Sequence, residues 1–496
     1  MKENSKNITR RTFLGTTGTV AAGLTILPSS VISGLGHRAP SDKLNIAIVG
    51  IGGMGNSNLR AVKGTENLVA LCDVDWGYSK KVFADNPNAK QYWDWRKMYD
   101  EMGKSIDAVI VATADHSHCV VASNGITLGK HVYVQKPLTH SVYESRLLTK
   151  LAAKYKVATQ MGNQGSSGEG VNLTVEWIQN GEIGEVRKIE AFTDRPIWPQ
   201  GLNRPTKVDA VAETLNWDLF IGPAPERPYN SIYHPWNWRG WWDFGTGALG
   251  DMACHIMHPI FKSMKLKYPI KAQGSSTLLL TDCAPNAQMV TLIYPERVAP
   301  AGSKISYPEV TVTWYDGGLQ PAKPAGWPAG KNMNDNGGGV IFHGSKDTLI
   351  CGCYGKDPWL LSGRKPVVPQ TERRVEGSKH EMDWVRACKE SPESRVKSKS
   401  DFSEAGPFNE MVVMGVLAVR LQGLNKELEW NGEKMEFTNI SETETIKICI
   451  SDNFTIEDGH PTFAKKWTEP MNAKQFSAEM IKHTYRKGFT LPAMPA

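Results

Sequence analysis

The feature that most constrains this chain is a glycine triplet in a particular setting. Residues 43–50, Lys-Leu-Asn-Ile-Ala-Ile-Val-Gly, form a short β-branched run ending on glycine, the pattern of a buried strand. Gly50-Ile-Gly52-Gly-Met54-Gly55 follows at once and leads into a helix-like stretch to about Lys63. Each glycine has a cause: Gly50 permits the tight turn, Gly52 lets the backbone approach a pyrophosphate, and Gly55 lets helix and strand pack closely. The amino end of the helix, where Met54 sits, then faces the phosphate charge. Asp73 stands 23 positions beyond Gly50, at the end of the next apolar run. A carboxylate there accepts ribose hydroxyls and repels a 2′-phosphate, which favours NAD(H) over NADP(H).

The alternation continues. Strands are expected at Ile106 to Ala112, His131 to Val134 and Val157 to Met161, and helices at His116 to Leu128 and Val142 to Tyr155. That rhythm predicts a parallel sheet with helices on both faces. After about residue 165 the character changes. A helix over Val171 to Gln179 precedes strand-like runs from Gly184 to Thr193, Met289 to Tyr294, Glu309 to Tyr315 and Val340 to Ile350, which predict a largely antiparallel sheet. Residues 321–339 read as a long loop, and Phe408 to Leu424 as a helix packed on the sheet. A chain of 496 residues exceeds one compact core, and we divide it into a 1–40 signal and linker, a 41–164 NAD-binding Rossmann domain and a 165–496 substrate domain. The carboxyl-terminal part of the last is expected to pack back on the Rossmann domain.

Residues 7–15, Asn-Ile-Thr-Arg-Arg-Thr-Phe-Leu-Gly, followed by an apolar stretch to Leu27, match a twin-arginine export signal. The stretch is too short and too rich in Gly and Thr to span a membrane. The expectation is therefore a periplasmic or otherwise exported protein that folds, with its cofactor, before export. Four of the six net positive charges fall in residues 1–38, so the remainder carries no basic block for nucleic acid. The eight cysteines show neither a CxxC pair nor zinc spacing, and few or no disulfides are expected.

Four motifs carry a wider resemblance: Ala47-Ile-Val-Gly-Ile-Gly-Gly-Met-Gly55, Ala112-Thr113-Ala-Asp115-His116-Ser-His118, Val134-Gln135-Lys136-Pro137 and Gly250-Asp251-Met-Ala-Cys-His255. In this order, over roughly residues 43–430, the chain resembles the Gfo/Idh/MocA oxidoreductases. The resemblance implies an α/β Rossmann domain plus an α+β domain with a large, mostly antiparallel open sheet, tightly bound NAD, a sugar or polyol substrate, and a homo-dimer or homo-tetramer. It also implies roles. Lys136 would stand at the reacting hydroxyl. His255, with a pKa near 6.5, would act as acid/base, and Asp251, one helical turn before it, would orient it or make a second polar contact. Gln135 replaces the family's usual glutamate but can still bond a nicotinamide ribose. His258, where relatives carry an acidic residue, leaves no clear third catalytic group; no metal is expected.

Further candidates come from position. Thr113, Asp115 and His118 in a strand-to-helix turn, with Gln135, Asn163 and Gln164 at later strand ends, are expected around the cofactor. His116, Gln164, Trp238, Arg239 and Trp242 are expected around the substrate, the tryptophans because exposed indoles stack on sugar faces. The leading expectation is an exported NAD-dependent glycoside oxidoreductase that removes hydride from a ring carbon, most plausibly C3. One alternative is an NAD-using glycosidase or lyase acting by oxidation, elimination and reduction. The other is a catalytically silent sugar-binding protein.

Overall fold

The computed structural model describes residues 42–333 and 337–496. The arginine pair of the export motif lies outside the described residues. Strands β1 (Asn45–Val49), β2 (Asn67–Cys72), β3 (Lys90–Tyr92), β4 (Ala108–Val111), β5 (His131–Gln135) and β6 (Thr159–Gly162) form one sheet in the order β3-β2-β1-β4-β5-β6. Every pairing in it is parallel. The register sets the site: Val49 pairs with both Cys72 and Val111, Val134 with Val111, and Gln135 with Gly162. Gly50, Asp73, Thr113, Lys136 and Asn163, each just past a strand, therefore emerge along one edge of the sheet. That is the carboxyl edge at which open α/β sheets bind ligands.

The second sheet has nine strands. They are β7 (Val186–Phe192), β8 (Lys271–Ser276), β9 (Gln288–Tyr294), β10 (Val310–Tyr315), β11 (Gly339–Gly344), β12 (Thr348–Gly352), β13 (Trp359–Leu360), β14 (Leu428–Asn431) and β15 (Glu436–Phe437). The order is β13-β12-β11-β7-β10-β9-β8-β14-β15, with β7 and β10 its one parallel pair. One face, through Val290, Leu292, Val312 and Trp314, is buried in the main core. On the other face Met289 and Gln273 are exposed. The expected strand over Val340 to Ile350 is a hairpin, because Gly344 and the residues after it turn the chain back as β11 into β12.

The chain then returns to the Rossmann domain. The helix His380–Cys388 buries Trp384 beside Ala108 and Ile110. The helix Phe402–Arg420 lies against the helix Val142–Tyr155, where Arg146 makes a two-pronged bond to Glu410 at 2.8 Å. Buried Asn409 accepts from the Leu138 backbone and donates to Thr139. One continuous core thus joins Val49 and Val134 to Trp314 and Val413. A hairpin, β17 (Cys449–Glu457) with β18 (His460–Trp467), is mostly exposed, and the short pair β16 (Thr445–Ile446) with β19 (Met471–Asn472) lies near it in sequence. All eight cysteines are buried and free. Among the described residues no helix is long and apolar enough to cross a membrane.

Candidate active site

The glycine loop is shaped by contacts that no other residue would allow. Gly50 has φ +82°, and a Cβ on it would lie 2.5 Å from the Ala112 carbonyl oxygen; one on Gly55 would lie 1.8 Å from the Gly50 oxygen. The space beside Gly52 is filled by the Tyr78 ring, 2.2 Å from where its Cβ would be, so that glycine serves packing as well as ligand approach. Asp73 folds back on the loop: its Oδ2 accepts from the Ile51 and Gly52 amides at 2.7 and 3.2 Å, and its Oδ1 from Asp75 at 2.9 Å. Burial raises its pKa. A carboxylate has about four lone-pair sites, so one remains for a ribose hydroxyl.

These groups border a cleft with about 1090 Å³ of open space, lined also by Met54, Thr113, Gln135, Lys136, Trp238 and Arg239. It suits a dinucleotide: the glycine cradle faces it, and the buried Gln135 Oε1 has no protein partner. The Gln135 amide donates to Asn58 at 2.9 Å instead. Asn163, whose side-chain nitrogen and oxygen are both buried and unpaired, and Gln164, whose Nε2 is unpaired, stand at the end of β6.

The chemical end is built by the helix Gly247–Ile256. Lys136 Nζ donates to Asp251 Oδ1 at 2.6 Å and to its backbone oxygen at 3.0 Å. Arg239 Nε donates to the same Oδ1 at 3.1 Å, its guanidinium lying 3.9 Å from the Trp236 ring centre and 4.3 Å from that of Trp238. Burial works to raise the Asp251 pKa, but the charges of Lys136 and Arg239 outweigh it and leave the carboxyl below its usual range. His255, one turn on, is buried against Tyr354 with ring centres 4.4 Å apart, and its Nδ1 has no protein partner. Burial, aided by Lys136, lowers its pKa to about 3. This corrects the expected value near 6.5: the ring is neutral across the physiological range.

Several expected contacts are corrected. His116 lines the cleft, but its Nδ1 and Nε2 face the Phe244 and Phe220 carbonyls at 3.2 and 2.9 Å. His118 bridges the Pro137 and Thr113 carbonyls at 2.8 and 3.0 Å. It therefore ties two loops together and does not line the cleft. Asp115 accepts from the Thr246 hydroxyl at 2.8 Å and from its amide at 3.2 Å, and burial raises its pKa to about 7. Trp242 is core, its indole donating to the Leu280 carbonyl at 3.2 Å. His258 turns to Glu404 at 2.7 Å. Among the described residues no group of three metal-ligating side chains is present. Sequence reasoning missed Tyr78, Trp93, His234 and Tyr354. Trp236 lay within a visible run of indoles; Tyr354, at φ 64°, gave no signal.

Comparison with known proteins agrees with this geometry. Residues 44–163 match the model described as "Oxidoreductase family, NAD-binding Rossmann fold", and residues 184–294 match "Oxidoreductase family, C-terminal alpha/beta domain", both of Gfo/Idh/MocA. Glycosyl hydrolase family 109 protein 1 of Akkermansia muciniphila is 26% identical over 182 residues, 33% of this chain and 36% of that protein. Levoglucosan dehydrogenase of Pseudarthrobacter phenanthrenivorans is 26% identical over 164 residues, 33% of this chain and 34% of that one. The matches thus span about a third of these relatives. The fold is shared with the WlbA dehydrogenase from Bordetella pertussis, solved with NADH and UDP-GlcNAcA, at TM-score 0.53 and 14% identity over 78% of this chain and 99% of that one. NAD is the dinucleotide of such a domain. Residues 44–163 and 184–294 thus carry, in the same order, the two domains of the Gfo/Idh/MocA oxidoreductase family.

Proposed function

We propose that the protein is an NAD-dependent oxidoreductase acting on a ring hydroxyl of a glycoside-like sugar, at C3, and that it retains its cofactor between turnovers. The observation that carries this is the meeting of Lys136, Asp251 and His255 at the carboxyl edge of the Rossmann sheet. NAD, when bound in the cleft, would supply the hydride acceptor. Gln135, Asn163 and Gln164 offer unpaired amide atoms to its nicotinamide end and to sugar hydroxyls. The Lys136 ammonium stabilises alkoxide character on the substrate oxygen. The free Nδ1 of neutral His255 takes the hydroxyl proton, and Asp251 holds Lys136 in place. One C–H bond and one O–H bond break, and a ketone forms.

To test this, the purified protein is denatured and the released nucleotide identified. Candidate glycosides are then added to intact protein and absorbance at 340 nm is followed. Reduction of bound NAD with formation of a keto-sugar is expected; absence of NAD, or inert cofactor with every sugar, overturns the reading. A second reading is redox-neutral cleavage, in which oxidation acidifies the neighbouring C–H, the anomeric substituent is eliminated, water adds and the ketone is reduced again. The likeness to a glycosyl hydrolase family 109 protein and to the α-N-acetylgalactosaminidase of Shewanella oneidensis, 28% identical over 210 residues (37% of this chain, 46% of that one), favours it. Free sugar released without net oxidant would select this second reading. We further propose export through Arg10-Arg11. Replacing both with lysine is expected to hold the protein in the cytoplasmic fraction.

A further inference from the structure

The segment between β7 and the helix Gly247–Ile256 passes over the dinucleotide cleft, and two side-chain pairs help to fasten the part that covers it. At one, His234 Nε2 meets Asp75 Oδ2 at 2.8 Å, two residues past Asp73, with side chains only 9% and 14% exposed. At the other, Arg239 bonds Asp251. Between them His234, Pro235, Trp236 and Trp238 all line the cleft. Asp75 is itself fixed, since its Oδ1 accepts from the Tyr78 amide at 2.9 Å. Backbone bonds from Trp76 to Thr214 and from Asn216 to Val74, both 2.8 Å, hold the neighbouring chain against the end of β2. The Phe220 ring packs edge-on to His234 at 4.9 Å.

One atom is left over. His234 Nδ1 is buried and has no partner in the protein. A buried ring nitrogen without a partner is costly, yet the ring is held in place by a carboxylate on its other nitrogen. With Asp75 accepting the Nε2 proton, Nδ1 presents a lone pair.

Resting on NAD as the cofactor, we infer that His234 is a cofactor-binding residue: its Nδ1 accepts a ribose hydroxyl of the bound dinucleotide, and the Asp75–His234 pair clasps the overlying segment shut. The clasp slows release, so one dinucleotide stays through many turnovers. Asp73 and His234 then grip the dinucleotide from two sides, one from the Rossmann domain and one from the covering segment.

The test measures NADH release by the loss of its bound-state fluorescence after rapid dilution into excess NAD. Wild type is compared with His234→Ala, His234→Phe and Asp75→Asn, and melting temperatures without nucleotide report folding separately. Release at least tenfold faster in all three variants is expected. His234→Phe keeps the ring packing on Phe220 but lacks Nδ1; if it releases NADH at the wild-type rate, the ring serves packing alone and the inference is overturned. Should Asp75→Asn and His234→Ala also match wild type, the clasp is overturned with it. Wild type that binds no NADH at all would instead sink the cofactor reading on which this rests.

Discussion

Two cations share one carboxylate at the centre of the site. Asp251 is bonded by both Lys136 and Arg239, so removing either cation leaves it paired. Lys136→Met tests this: Arg239 still holds Asp251, nucleotide affinity should change less than threefold, and turnover should fall about 10²- to 10⁴-fold. Single-turnover reduction of bound NAD beside a nucleotide titration separates the two effects. His255 carries a second expectation. With its pKa near 3, from burial first and Lys136 second, it stays neutral from pH 5 to 8, so kcat/KM should show no acid limb near pH 6.5. A limb there would mean the ring is better solvated than the structure has it. Gly50 and Lys136 were legible in the sequence because each follows a strand directly, and Asp251 because its spacing from His255 marks one helical turn. His116, His118 and Trp242 were misread, because sequence neighbourhood does not say which way a side chain turns. Their polar atoms found backbone carbonyls instead of the cleft.

The helix Gly247–Ile256 depends on small residues for its position. A Cβ on Gly415, in the helix Phe402–Arg420, would meet Leu249 at 2.7 Å. A Cβ on Gly250 would lie 1.8 Å from the Thr246 hydroxyl that donates to Asp115. Gly250→Ala therefore turns Thr246 away and leaves buried Asp115 short of a donor, at a cost of about 1–3 kcal/mol. Thr246→Val removes the same bond. Urea unfolding of both single variants and the double should show a double-variant loss well below the sum of the singles, because one interaction is being removed twice. Full additivity would mean that Gly250 matters for a different reason. The central Rossmann strands β1, β4, β5 and β6 were readable from their apolar runs, since each is buried on both faces, whereas edge strand β3, with Lys90 and Gln91 exposed, was not. β8, β14 and the β17–β18 hairpin escaped because their exposed residues break the apolar run that marks a strand. The helix Phe402–Arg420 was seen only from Phe408. Its first turns contain Pro407, and its start depends on Asp401 accepting from the Ser403 amide.

Across the molecule, burial has displaced protonation in two opposite directions, and their balance sets the pH range of the fold. Burial lowers His255 to about 3 and His118, His131 and His483 to about 4, and it also lowers His116, His140 and His380. For each, the unfolded chain binds more protons between the folded value and 6.5. The stability these groups contribute is whole above pH 6.5 and is lost as pH falls toward 4. Asp115, Asp316 and Glu144 are raised by burial to about 7, and Asp73 and Glu410 are raised too. Their contribution is whole below about pH 4 and is lost as pH rises toward 7. Between pH 4 and 6.5 the two sets oppose each other, and the histidines are the more numerous. Below pH 4 the raised carboxyls no longer titrate, while paired carboxylates held low, among them Asp251 and Asp383, begin to protonate and lose their ion pairs. The melting temperature should therefore decline gently from pH 6.5 to 4 and drop steeply below 4. Calorimetry at constant ionic strength checks this. A melting temperature that rises on acidification from 7 to 5 would show that the raised carboxyls, Asp115 beside the catalytic helix included, outweigh the buried imidazoles.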